Sequence, residues 1–115
     1  EDTDSNFLLV STILKRDYEI IRAHDGVEAI EFTEKYIPCG ILMDIRMPRI
    51  DGIEATYKIR EMGYDMPIIA VTAFAFDRDR QKMLDAGCND YITKPLSSAI
   101  LKSTIKKWLE KEIMF

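Results

Sequence analysis

The sequence predicts an α/β fold, a parallel sheet doubly wound with helices, on three observations. Helical and strand patterns alternate from one end of the chain to the other. Ile41-Leu42-Met43 and Ile68 to Val71 are continuously apolar instead of alternating, the pattern of strands covered by helices on both faces. Three apolar runs each stop at a reactive side chain, Asp44, Thr72 and Lys94. In a parallel sheet the carboxyl ends of neighbouring strands converge on one crevice, so these runs can present a carboxylate, a hydroxyl and an ammonium together. With Glu1-Asp2 added, the crevice could hold a divalent cation.

The elements follow in order. Asn6 to Arg16 places Leu9, Val10, Ile13 and Leu14 at helical spacing, and Tyr18 to Ala23 is short and β-rich. Asp25-Gly-Val-Glu28 resembles a capping box and opens a helix that ends near Tyr36, just before Pro38. Gly40 to Met43 is the next strand. Asp51-Gly-Ile-Glu54 repeats the cap signature and starts a helix that stops near Gly63, after which Pro67 introduces the strand Ile68 to Val71. A highly charged helix from Asp77 to Ala86 ends at Gly87, a C-terminal cap, before the short strand Tyr91-Ile92-Thr93. The last helix has the clearest period. Ile100, Leu101, Thr104, Ile105, Trp108 and Leu109 form one face, with Lys102, Lys106, Lys107 and Lys111 away from it and Ser97 or Ser98 as its N-cap.

That order leaves five helices separated by four strands, with almost nothing ahead of the first helix. A doubly wound sheet needs an apolar strand there. Truncation of the chain is the favoured explanation. In a second, the terminal Glu112-Ile-Met-Phe115 takes the vacant position as in a permuted chain, although four residues are few for a central strand. In a third, a neighbouring molecule fills it.

Composition bounds the partners. With 115 residues, 47% hydrophobic and 31% charged, residues 1–115 suffice for one core and not for two. A net charge of -4 without a long basic run argues against nucleic-acid binding by this domain alone. The longest apolar stretch, Ile68 to Phe76, falls far short of the ~20 residues that span a bilayer, so no membrane contact by this domain is expected. Cys39 and Cys88 lack metal-ligand spacing and the sequence shows no signal-peptide pattern, so reduced thiols in a cytoplasmic domain are expected, with a structural disulfide the weaker reading. The parent protein could still be membrane-anchored.

In this order the motifs resemble the phosphoacceptor receiver domain of two-component response regulators. The resemblance covers nearly the whole chain. It rests on Glu1-Asp2 with Asn6 behind it, on Met43-Asp44-Ile-Arg-Met-Pro48 running into Asp51-Gly52, on Val71-Thr72-Ala73, and on Asp90-Tyr91-Ile-Thr-Lys94-Pro95. The start of the chain and Ala86-Gly-Cys-Asn-Asp-Tyr91 look most like receivers fused to hybrid sensor histidine kinases. The resemblance implies a flavodoxin-like sheet of order 2-1-3-4-5 and makes the missing element its central strand.

It also implies roles. Asp44 would be the nucleophile that takes a phosphoryl group from a partner histidine. Glu1, Asp2, Asp44 and the Arg46 backbone carbonyl would hold Mg²⁺, a hard cation that relieves the repulsion of clustered carboxylates. Thr72 and the Ala73 backbone N–H would donate to the phosphoryl group, and Lys94 would neutralise it. Thr72 and Tyr91 would form the switch, changing the face built from the last two helices and the last strand. The partner would be a histidine kinase or histidine phosphotransfer domain, since His24, the only histidine, has no place at the site. A homodimer through the last helices is the minority expectation. Two other function classes stand beside this one: a degenerate receiver acting only as an interaction module, and a Mg²⁺-dependent phosphohydrolase working through an aspartyl phosphate. Against the latter, Arg46 sits where a second aspartate would be needed.

Overall fold

A computed structural model of the chain describes residues 8–9, 11–12, 19–21, 23, 25–38, 40–45, 51–73, 77–94, 97–108 and 112–114, of which 19–21, 77–79 and 112–114 are described in their backbone alone. Residues 8–9 and 11–12 are helical and lie within the first expected helix. The labelled elements are β1 (Glu19–Ile21), α1 (Gly26–Tyr36), β2 (Gly40–Asp44), α2 (Gly52–Glu61), β3 (Ile68–Thr72), α3 (Asp77–Ala86), β4 (Asp90–Thr93), α4 (Ser98–Trp108) and β5 (Glu112–Met114).

Local chemistry places the helix ends. The Asp25 carboxylate accepts the Glu28 backbone N–H at 2.9 Å, and Asp51 does the same for Glu54 at 2.9 Å, so both aspartates satisfy donors that a first turn leaves orphaned. Ile37 ends α1 in the left-handed region, φ 44°, its N–H donating to Thr33 O at 3.0 Å, a costly conformation for a β-branched residue. Gly87, at φ 116°, ends α3 without that cost. Ser97 is the cap of α4, its hydroxyl oxygen accepting the Ile100 N–H at 3.5 Å. One reading of that helix needs correction: Ile100 is 55% exposed, while Leu101 and Ile105 are fully buried. The stripe is centred on the i, i+4 pair, and Ile100 stands one residue, about 100° of rotation, away from it.

All strand pairings are parallel, in the order β1-β5-β2-β3-β4. The vacant central position is therefore taken by the C-terminal strand, the second of the three arrangements weighed. β5 pairs with β1 at Glu19↔Glu112, Ile20↔Ile113 and Ile21↔Met114, and with β2 at Gly40↔Ile113 and Ile41↔Met114. Pairing on both edges lets a three-residue strand serve at the centre. Counted with β5 in the first place, the order is the flavodoxin-like 2-1-3-4-5.

β2 and β3 are buried at every position, as their unbroken apolar runs require. Ile41, Met43, Ile68 and Ala70 point into one core with Ala29 of α1, Ala55 and Ile59 of α2, and Met83 of α3. Alternation turns Leu42, Ile69 and Val71 to the opposite face, where they are 0–1% exposed. Two-sided burial of this kind makes β2 and β3 the rigid centre from which the strand ends project.

Candidate functional site at the strand ends

Three strand-terminal residues meet. The pairing Asp44↔Val71 is followed by an Ile45 N–H donated to Val71 O at 3.1 Å, and Thr72↔Thr93 by a Lys94 N–H donated to Thr72 O at 2.7 Å. Register thus brings Asp44, Thr72 and Lys94 to the carboxyl end of the sheet. The Lys94 ammonium Nζ donates to Asp44 Oδ1 at 3.3 Å, with side chains only 12% and 5% exposed. Thr72 is equally buried, at 5%. A carboxylate taken this far from water is costly unless a cation accompanies it, and Lys94 supplies that charge. The arrangement is a shielded carboxylate with a hard oxygen donor set, beside an ammonium and next to a hydroxyl-bearing strand end.

The surrounding elements hold this end of the sheet in place. Ile45 O accepts the Gly52 N–H at 3.0 Å, tying the residue after β2 to the first turn of α2. Ala73, beyond Thr72, is exposed. Tyr91 is half-buried in the core cluster, and the Arg80 guanidinium of α3 lies 5.4 Å from its ring centroid, a cation–π contact. Asp90 joins two elements: Oδ1 accepts the Tyr91 N–H at 2.8 Å and Oδ2 accepts the Trp108 indole N–H at 2.9 Å, tying the end of α4 to the start of β4.

Glu1, Asp2 and Arg46, the remaining metal candidates, lie outside the described residues, as do Asn6, His24, Cys39 and Pro95. Among the described residues no group of three His, Cys, Asp or Glu side chains gathers to hold a metal. Among them also, no helix is long and apolar enough to cross a membrane.

Sequence reading missed Arg60. Its Nε and Nη2 donate to Gly87 O at 3.1 and 2.9 Å, Nη2 also to Asn89 Oδ1 at 2.9 Å, and Nη1 to Tyr64 O at 3.0 Å. Asn89 Oδ1 in turn accepts the Ile68 N–H at 2.8 Å. One guanidinium therefore joins the end of α2, the entry to β3 and the α3–β4 turn, at the opposite end of the strands from Asp44. Burial pulls Arg60 below its ordinary pKa, opposed by Cys88 and Asp65. Beneath it the free thiol of Cys88 is pushed up, chiefly by burial, against the Thr56 hydroxyl and the Arg60 charge. No spacing rule links an arginine to a turn 27 residues away.

A family model, described as the response regulator receiver domain, matches residues 1–106. The chain belongs to this receiver family. It is 41% identical over 123 residues to hybrid signal transduction histidine kinase I of Dictyostelium discoideum, covering 98% of this chain and 7% of that one. It therefore spans only a small fraction of that kinase. It is 38% identical to the polar-differentiation response regulator DivK of Brucella ovis, covering 95% of this chain and 91% of that one. Among solved structures, the receiver domain of the sensor histidine kinase PA1611 from Pseudomonas aeruginosa, with magnesium in its active-site cleft, aligns at a TM-score of 0.84. That alignment has 37% identity and covers 94% and 91% of the two chains. The receiver is thus a flavodoxin-like domain of two-component signalling.

Proposed function

We propose that the receiver, as one domain over residues 1–115, accepts a phosphoryl group on Asp44 from a phosphohistidine of a histidine kinase or phosphotransfer domain. The observation that carries this reading is the shielded Asp44 carboxylate 3.3 Å from the Lys94 ammonium beside Thr72. An Asp44 oxygen forms the new bond to phosphorus as the phosphorus–nitrogen bond breaks, and the imidazole nitrogen leaves with the electron pair and takes up a proton. Lys94 balances charge on the phosphoryl oxygens. The Thr72 hydroxyl and the Ala73 N–H donate to them. Asp44 fits a hard cation, and Glu1, Asp2 and the Arg46 carbonyl would complete a Mg²⁺ site with it. When bound, Mg²⁺ supplies the positive charge that lets a dianion approach these carboxylates.

The added charge, about -1.5 to -2, draws Thr72 and Lys94 toward it. Tyr91 then responds beneath Arg80, and the surface of α3, β4 and α4 changes by a shift of population. The receiver catalyses at most its own phosphorylation and dephosphorylation. It works in the cytoplasm, without nucleic-acid or membrane contact of its own, and self-association through α3 and α4 would be secondary. The test is phosphorylation of the chain and of Asp44→Asn by a small-molecule phosphodonor, with and without Mg²⁺, read by intact mass. One phosphoryl group is expected on the unaltered chain with Mg²⁺ and none on Asp44→Asn. An equal gain in both removes Asp44 from its role, and no gain in either leaves an interaction module.

A further inference from the structure

We infer that Gly52 is the positioning residue for Asp44: the absence of a side chain there lets the first turn of α2 close onto the Asp44–Ile45 backbone and sets where the carboxylate meets Lys94. The inference rests on the phosphoacceptor reading and adds to it a residue that contacts no ligand.

Gly52 is buried and follows directly on the Asp51 cap. A Cβ placed on it would collide with the Asp44 carbonyl oxygen and would stand 2.8 Å from Ile45 Cα and 3.0 Å from the Asp44 carbonyl carbon. All three are backbone atoms, which cannot rotate aside as a side-chain tip can. Conformation is not the reason for glycine here. Gly52 is helical, and the glycines with positive φ are Gly63 and Gly87. Nor is propensity, since glycine is among the poorest helix formers. What remains is close approach.

The approach has a mechanical consequence. On one side Ile45 N–H is bonded to Val71 O at 3.1 Å, on the other Ile45 O accepts the Gly52 N–H at 3.0 Å. The Ile45 backbone is thereby clamped between β3 and α2, one residue beyond the last β2–β3 register pair, and the Asp44–Ile45 peptide is held with it. A methyl group at 52 has two outlets. It lifts α2 and breaks the clamp, or it pushes the peptide toward β3 and shifts the carboxylate against Lys94 and Thr72. Either displaces a nucleophile whose attack must be in line, where a shift of about 1 Å costs on the order of 100-fold in rate.

The experiment compares Gly52→Ala with Gly63→Ala in the whole chain. Gly63 lies at the other end of α2 with nothing within 4 Å of an added Cβ, but its φ of 96° strains any other residue. Both variants should lower the melting temperature. Gly52→Ala should slow phosphorylation by a small-molecule donor with Mg²⁺ roughly 10- to 100-fold, at a temperature where circular dichroism shows both folded. Gly63→Ala should stay within about two-fold of the unaltered chain. Equal rates in both variants overturn the inference. If Gly52→Ala does not fold, it is made with Ile37→Asn, which relieves the left-handed strain at φ 44°; a chain still unfolded there makes Gly52 structural only and also overturns it. If the unaltered chain takes no phosphoryl group, the phosphoacceptor reading falls by itself. The carbon-13 shift of the Asp44 carboxyl carbon and the nitrogen-15 shift of the Lys94 ammonium, both read at one fixed neutral pH, then decide: Gly52→Ala must displace them and Gly63→Ala must not, and unmoved shifts sink the positioning role.

Discussion

Lys94 Nζ and Asp44 Oδ1 are 3.3 Å apart across 50 residues of sequence, both side chains nearly closed to solvent. A buried pair of this kind is costly to break from one side, because the remaining charge stays buried. Lys94→Met should therefore destabilise the domain by about 3 kcal/mol, and adding Asp44→Asn should restore a large part of that loss. Urea denaturation of the two single variants and the double variant measures the coupling. Strictly additive effects would show that the pair contributes no interaction.

Cys88 predicts a pH dependence. Burial holds its thiol above the ordinary value, so the folded state favours the protonated form. An unfolded chain loses that proton at about pH 8.5. The contribution is fully present below that pH and is lost as pH rises from there toward the folded value, at up to about 1.4 kcal/mol per pH unit. Denaturation midpoints of the unaltered chain should fall between neutral pH and about pH 10 more steeply than those of Cys88→Ala. Parallel profiles would remove Cys88 from the effect. The native thiol, 5% exposed, should also resist alkylation until the chain unfolds.

Arg60→Lys tests the guanidinium that joins α2 to the α3–β4 turn. A lysine keeps the charge but cannot serve Gly87 O, Tyr64 O and Asn89 Oδ1 from one planar fork. A loss of about 2 kcal/mol is expected, with faster amide exchange at Ile68 and at 87–89. Unchanged exchange there would mean that solvent replaces the fork without cost.

Removing residues 112–115 takes away the strand between β1 and β2. The lost ladder should cost about 2–4 kcal/mol and leave the β1 amides exchanging freely, while β3 and β4 keep their protection. Uniform protection in the shortened chain would show that β5 does not hold the sheet together.

Much of the fold is legible because its signals are local. Asp25 and Asp51 cap helices through residues three positions on, and Gly87 takes the positive φ expected at a helix end. The unbroken runs of β2 and β3 announce burial on both faces. Asp44, Thr72 and Lys94 can be picked out because each stands where such a run stops. Ile100 misleads, since an apolar residue beside a stripe looks like part of it until the neighbours that leave it 55% exposed are known. Arg60 and Gly52 are silent in sequence: one acts on a turn 27 residues away, and the other acts through a missing atom.

Element order, helix caps and the three reactive strand ends thus belong to the chain's local pattern, where each signal reaches only a few residues. The occupant of the central strand position does not. Glu112–Met114 is too short to carry a period, and it becomes a central strand only because β1 and β2 leave two open edges facing each other. The 3.3 Å approach of Lys94 to Asp44 has the same origin. Strand pairing and two-sided burial set it between residues that no local rule connects.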